Sequence, residues 1–428
     1  MVHEGQQVEL AIEKPASGGR MIARHYGQVV LVRGAIPGER VTAWIERAEK
    51  RLAYAVTREV LDASPDRREG AADPLCGGAL YSHIAYPRQL AIKSDVIRDA
   101  FARVGKHPIE HAVDVAPSPE EGYRMRARFH VHGARVGFYR EGTRQLCDVA
   151  PTRQLGAQAV AAVGQLAARL HAASADAVSS ISISENIAGT ARAAYVELAP
   201  GARLDAAALA AGSAGAGVTG LSARSATGQV MTVGDPFVSD TLTDLTAGRV
   251  TDGELRRHAE SFFQGNRYLI AALVTSVMDA VPTEDDVVDL YAGVGLFSVA
   301  LAGSGHLEVT AVEGDRTSGA DLRRNARGQE PRLRAHVQGV EDYLSSRRGT
   351  PARTLIVDPP RTGISKDAMD AITTYGAPRV VYVSCDPPTL ARDARRLLDS
   401  GYTLLSLRAF DLFPNTPHVE SLAIFVAG

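Results

Sequence analysis

Apolar and polar residues alternate through Val8, Leu10 and Ile12, and short apolar runs follow at Val29–Val32, Val41–Ile45 and Tyr54–Val60. Glycine-rich breaks (Ser17-Gly18-Gly19, Pro37-Gly38) separate the runs. Short strands at this spacing predict a small closed barrel of the OB type, with an SH3-like barrel as the alternative. The polar stretch Asp62–Gly70 reads as a linker. From residue 70 to about 250 the pattern is mixed. Apolar spacing predicts helices at Leu90–Phe101 and Ala157–Ala173 and strands at Phe129–Val131, Val136–Tyr139, Ile181–Ile183 and Tyr195–Leu198. The Ala/Gly-rich segment Leu204–Gly220 reads as a weak helix giving way to a loop, and the chain has no internal repeat.

Beyond about residue 250 strands and helices alternate. Strands are expected at Val287–Leu290, Glu308–Glu313, Arg334–Val337, Thr354–Val357, Arg379–Ser384, Tyr402–Phe410 and Ser421–Val426. Helices are expected at Phe297–Ala302, Ser318–Gln329, Ala368–Thr374 and Thr389–Ser400. This is the pattern of an α/β, doubly wound, Rossmann-like domain, mainly parallel, with ligands at the carboxyl ends of its strands. The expected organisation is a barrel at residues 1–61, an α+β central domain at 70–250 and the doubly wound domain at 251–428.

Composition narrows the classes. With 45% apolar and 22% charged residues, the 428-residue chain has the make-up of a folded protein rather than a disordered or collagenous one. No apolar run reaches the ~18–20 residues of a membrane helix, and the N-terminus lacks the pattern of a signal peptide. A cytoplasmic protein without a membrane partner is the expectation. Three cysteines, Cys76, Cys147 and Cys385, argue against a disulfide framework and for a reducing compartment. Net charge is −2, but Arg124, Arg126, Arg128, Arg135, Arg140 and Arg144 face a single acid, Glu141, within one segment. Such a segment holds phosphates or is simply a solvated strand face. On a strand, Arg124, Arg126 and Arg128 would share one side.

Four segments carry candidate chemistry. Asp289-Leu290-Tyr291-Ala292-Gly293-Val294-Gly295 follows an apolar strand, and the next strand ends in Glu313, an acid placed to accept ribose hydroxyls. Dinucleotide enzymes usually add a third glycine where Ser298 stands, so Gly293 and Gly295 suit S-adenosylmethionine, which has no pyrophosphate to cradle. Asp358-Pro359-Pro360-Arg361 stiffens the loop after the fourth strand; Arg361 replaces the aromatic residue usual in amino methylation. Cys385 sits at the carboxyl edge of the fifth strand, before a helix whose N-terminus would favour a thiolate. Glu420 precedes the last strand, and the residues alone leave open whether it is a solvated charge or a proton acceptor.

Taken together these segments resemble the bacterial RNA uracil-5-methyltransferases. The likeness rests on Asp289-Leu290-Tyr291-x-Gly293-x-Gly295-x-Phe297, Asp358-Pro359-Pro360-Arg361-x-Gly363, Tyr382-Val383-Ser384-Cys385-Asp386-Pro387 and His418-Val419-Glu420. Phe262-Phe263-Gln264 matches the family's Phe-x-Gln segment, and the barrel resembles its TRAM domain. The resemblance implies Cys385 as nucleophile and Glu420 as general base. It implies Gln264, Tyr291, Gly293, Gly295, Glu313 and Asp358 at a site for S-adenosylmethionine, and an RNA partner, met by Arg124, Arg126 and Arg128 among others. In that chemistry a thiolate adds to carbon 6 of uracil, carbon 5 becomes nucleophilic, and a carboxylate later removes its proton. A cytosine-5 methyltransferase fits Glu420 poorly. A non-catalytic RNA-binding or folding factor would not need Cys385, Glu420 and both glycines.

Many family members hold an iron–sulfur cluster in a Cys-x5-Cys-x2-Cys run plus a later cysteine. Here only Cys76 remains, with Gly70, Ala79 and Thr152 at the other positions. No cluster is expected, and Cys76 is expected to be a core remnant. The barrel favours ribosomal over transfer RNA as substrate, and a monomer is expected.

Overall fold

The computed structural model describes residues 2–224, 228, 230–306, 308–346 and 351–428. Met1, the first residue of the expected barrel domain, lies outside them. The described strands form a closed five-stranded barrel, a seven-stranded sheet, a two-stranded ribbon and an eight-stranded sheet. The barrel comprises Gln7–Pro15, Met21–His25, Gln28–Arg33, Arg40–Ala48 and Leu52–Asp62. Alternation puts Val8, Leu10, Ile12, Val30, Val32, Val41, Ala43 and Ile45 inside it. Met21–His25 escapes a pattern-based reading because three consecutive residues are buried there. The linker is fastened: Arg67 Nη2 meets buried Glu39 Oε2 at 2.6 Å, and Glu39 Oε1 accepts from the Ser64 amide.

The seven-stranded sheet is covered on one face by the helices Ala157–Ala173 and Ala206–Ser213, over a core that includes Phe129, Ile181, Ile183, Leu166 and Leu170. In the same core Cys76 and Cys147 form a disulfide, with Cα atoms 5.7 Å apart. The cysteine count argued against this. The hairpin ending at Leu146–Cys147 and the bridge between Cys76 and Arg140 bring the two together across 71 residues, leaving Cys385 as the free thiol.

The eight-stranded sheet has Leu333–Val337, Val309–Glu313, Val287–Leu290, Thr354–Val357 and Arg379–Ser384 in parallel, then Glu420–Ala427 antiparallel and Tyr402–Phe410 beyond it. These follow the expected strands within a residue or two. The helix Ile270–Asp279 was not expected; its β-branched residues hide an apolar face of Ile270, Leu273, Val274, Val277 and Met278. The eighth strand is Val115–Ala116, paired with Ala409–Phe410, and the helix Tyr86–Arg103 packs Ile97, Ala100 and Phe101 into the core of this sheet. Residues 86–116, placed by sequence in the central domain, thus belong to the C-terminal layers. On its other side the helix puts Ile92 into the barrel core, so it is packed against both layers. Among the described residues no helix is long and apolar enough to cross a membrane.

Candidate active site

The carboxyl ends of the parallel strands converge on one edge. Ser384 pairs with Ser421 across the antiparallel junction, so Cys385 and Glu420 leave neighbouring strands side by side. Val357 pairs with both Leu290 and Tyr382, which brings Asp358 to the same edge. Three sequence segments more than 60 residues apart in total span meet here by strand register alone.

On one side of this edge the charge is acidic. Asp289 is fully buried; Ser298 donates to its Oδ2, while Oδ1 has no hydrogen-bond partner among the described residues. Ser298, which occupies the place of a third glycine, therefore orients this carboxylate. Glu313 accepts the Gly293 amide at 2.7 Å and the Asp315 amide at 2.6 Å, fixing the turn after the first strand. Tyr291 and Gly293 hold φ of 61° and 57°, and a Cβ on Gly293 would meet only open space. Gly295 has a different duty: a Cβ there would press on Leu322 and Val299, so its absence lets the helix pack. Gln264, also buried, lies close enough to Asp358 to favour its charged form. Burial pushes both Asp289 and Asp358 up to about 7; the charge of Glu313 adds to the effect on Asp289, and those of Asp289 and Glu313 to that on Asp358. Asp289, Glu313 and Asp358 have no cationic partner among the described residues, an arrangement complementary to a positively charged ligand and hostile to a pyrophosphate.

On the other side stands Arg361, whose role the motif comparison did not supply. Its proximity to the Cys385 thiol opposes what raises that thiol, burial first and then the charges of Glu420 and Asp358, which together push it up to about 12. The helix Pro387–Asp399 that follows is capped by Asp386, which accepts from the Thr389 amide at 2.9 Å, so a carboxylate already takes that amide. Glu420 is buried and raised well above the usual carboxylate range by burial and by Asp358, against Arg361. Burial and neighbouring charge thus shift both groups toward their neutral forms, with Arg361 opposing the shift in each.

The segment leading into Glu420 is tied down from several sides. Lys93 Nζ meets Asp411 Oδ1 at 2.5 Å, both fully buried, and also donates to the Phe413 carbonyl at 3.2 Å. Gln89 exchanges hydrogen bonds with Asn415, Tyr123 Oη donates to the Pro414 carbonyl, and Asn266 Nδ2 to that of Leu412. Here lies the reason the helix Tyr86–Arg103 is on this sheet: it braces the loop that delivers the carboxylate. His418, in the same loop, is pushed down to about 4 by burial and by Arg361, Lys93 and Arg124, so it is neutral at pH 7.

The three arginines separate. The strand begins at Arg126, so Arg124 precedes it, bridged to Asn266 instead. Arg124 bonds the Arg126 carbonyl and Gln154 and lies 5.2 Å from the Phe138 ring centroid and 5.5 Å from that of Phe413. Arg126 bonds the carbonyls of Ser261 and Glu260 and lies over Phe262, which is 61% exposed. Neither has a carboxylate partner among the described residues, whereas Arg128 is paired with Glu197. Burial lowers the pKa of Arg124 and Arg126, and the neighbouring Arg361 adds to the effect on Arg124.

The model of the tRNA (uracil-5-)-methyltransferase family matches residues 348–427, and that of the TRAM domain matches residues 2–57. A 23S rRNA (uracil(1939)-C(5))-methyltransferase of Methylococcus capsulatus is 32% identical, over 97% of this chain and 96% of its own length. The chain belongs to the RNA (uracil-5-)-methyltransferase family. It is an S-adenosylmethionine-dependent RNA-modifying enzyme. An uncharacterized RNA methyltransferase of Streptomyces coelicolor is also 32% identical, over 98% of this chain and 93% of its own length. The solved tRNA (uracil-54, C5)-methyltransferase of Pyrococcus abyssi, in complex with S-adenosyl-L-homocysteine, shares the fold. It has a TM-score of 0.75 at 23% identity and covers 97% of this chain and 99% of that one. The family's iron–sulfur cluster does not fit the residues at its place: the two thiols there are bonded to each other, and Thr152 Oγ1 donates to the Val149 carbonyl at 2.6 Å.

Lys93→Met leaves the Asp411 charge buried without its partner, and should destabilise the fold by ~3–5 kcal/mol. Denaturant unfolding of the two proteins measures this; a loss below ~1 kcal/mol would mean the pair does not brace the loop.

Proposed function

We propose that Cys385 is the nucleophile and Glu420 the base of uridine C5 methylation in RNA, and that Gln264, Tyr291, Gly293, Glu313 and Asp358 line the site for S-adenosylmethionine. The observation that carries this reading is the pairing of Ser384 with Ser421, which brings Cys385 and Glu420 off neighbouring strands side by side, with the Arg361 charge close by. Bound S-adenosylmethionine supplies an electrophilic methyl group, and the uncompensated carboxylates of Asp289, Glu313 and Asp358 suit its positive charge. Gly295 serves helix packing and touches the donor only through the turn it permits.

Cys385 gives up its thiol proton to solvent water and the thiolate Sγ adds to carbon 6 of the uracil, moving the electron pair of the C5–C6 bond into an enolate that leaves carbon 5 electron-rich. Arg361 stabilises the thiolate that this step requires and returns when the adduct collapses. Once carbon 5 carries the methyl group, Glu420 takes the remaining proton from it, and the electron pair released expels Cys385. The target base must be turned out of its RNA to reach the edge. Arg124 lies near Arg361, and Arg126 starts a strand of the central sheet, both with donors to spare and no acid to neutralise them; we assign them to the RNA backbone, and Arg128 to an internal ion pair instead. Ribosomal RNA is the favoured substrate, supported by the full-length likeness to a 23S rRNA enzyme.

Glu420→Gln keeps the nucleophile and the side chain's size but cannot accept the proton, so a covalent RNA–protein species should accumulate and resist denaturation. Cys385→Ala should form neither adduct nor product. Gel analysis of both variants with RNA and S-adenosylmethionine decides it: parental turnover by Glu420→Gln would place the base elsewhere. Changing Arg124 and Arg126 to Ala should reduce the slope of log affinity for RNA against log salt by ~2, while Arg128→Ala leaves it near the parental value. Equal slopes in all three would remove the first two from the RNA interface.

A further inference from the structure

Arg361 stands on a loop, and a loop by itself does not hold a guanidinium against a sulfur. In this enzyme the loop is gripped along its length by the helix that begins two residues after Cys385. Thr389 Oγ1 donates to the Arg361 carbonyl at 3.4 Å. Arg392 Nη2 donates to the carbonyls of Thr362 at 3.2 Å and Ile364 at 3.3 Å. Asp393 Oδ2 accepts the Ile364 amide at 3.0 Å and the Tyr382 hydroxyl at 2.8 Å, while its Oδ1 accepts Arg392 Nε at 2.8 Å. Gly363 turns at φ 76°, and a Cβ there would run into Arg392 and Asp393, so the grip closes only around a glycine.

Asp393 is 1% exposed, and its carboxylate is satisfied by three donors: one from the Arg361 loop, one from the strand that ends at Cys385, and one from its own helix. An ionised carboxylate accepts from all three; an amide of the same shape would turn its NH2 toward at least one donor. The groups that this grip brings together are not on the helix itself. They are Cys385, Glu420, and Arg361 with Asp358 on one loop, from three segments of the chain.

We propose that Asp393, with Arg392, is a positioning residue that sets where the Arg361 guanidinium stands against the Cys385 thiol. Neither touches substrate. Their effect passes through Arg361, and the same helix that starts at the nucleophile also fixes the cation that activates it. This deepens the assignment of Cys385 as nucleophile and rests on it.

The test is a double-mutant cycle read on the thiol. Full-length protein, unreduced so that Cys76 and Cys147 stay bonded, is treated with iodoacetamide from neutral to alkaline pH, and labelling of Cys385 is followed by mass spectrometry. Arg361→Met should slow labelling about tenfold at a given pH, and Asp393→Asn should slow it by a similar factor. The double variant should be no slower than Arg361→Met alone, because Asp393 acts through a group already gone. Affinity for S-adenosylmethionine should change less than about twofold in Asp393→Asn, since Asp393 hydrogen-bonds none of the residues assigned to the donor. Arg392→Gln, which loses the two carbonyl contacts and keeps the buried carboxylate, should slow labelling in the same direction if Asp393→Asn does not fold. Multiplied losses in the double variant, or unchanged labelling in both Asp393→Asn and Arg392→Gln, would overturn the proposal. Methylation of RNA by Cys385→Ala would instead overturn the nucleophile assignment and leave the labelling result standing.

Discussion

Everything at the candidate site depends on one strand pairing, the antiparallel register that sets Ser384 opposite Ser421. A shift of one residue would turn every side chain on the last strand to the other face and carry Glu420 away from the thiol. The register is held by apolar contacts on both sides of the sheet: Leu422 packs in one core with Val381 and Val383, and Ala423 and Phe425 in the other with Val380 and Tyr382. Upstream it is held by the buried Lys93–Asp411 pair, which fixes the loop before the strand begins. Folding of the edge and assembly of the chemistry are therefore one event.

The same edge separates charges by sign. Asp289, Glu313 and Asp358 gather on the side proposed for the methyl donor, and Arg361, Arg124 and Arg126 on the side proposed for RNA. Low dielectric makes both groupings costly in isolation, which is seen in the carboxylates pushed up and the guanidinium pKa values lowered. Each grouping calls for a ligand of opposite charge. Cys385 and Glu420 lie between the two, and burial raises both, with Arg361 opposing the rise in each.

Much of this was legible in the chain. The parallel strands announce themselves as short apolar runs with helices between, and the residues that matter stand at the strand ends where such folds keep their ligands. What the pattern did not reveal was long-range. The helix Tyr86–Arg103 looks like any amphipathic helix, and nothing local says that Gln89 and Lys93 serve a loop more than 300 residues away. Arg124 reads as part of a strand row, yet its partners Gln154 and Phe413 come from elsewhere in the fold. Cys76 and Cys147 are 71 residues apart, and an odd cysteine count pointed away from the bond they form. The helix N-terminus after Cys385 was expected to favour the thiolate, but Asp386 caps it and Arg361 takes that part.

The central claim is that this chain makes 5-methyluridine in RNA through Cys385. Its most direct test is a nucleotide-resolved map of 5-methyluridine in total RNA from cells with the gene, without it, and with the gene restored as wild type or Cys385→Ala. The account predicts that a uridine in ribosomal RNA loses its methyl group on deletion, regains it with the wild-type gene, and stays unmethylated with Cys385→Ala. An unchanged map on deletion, or restoration by Cys385→Ala, would contradict it.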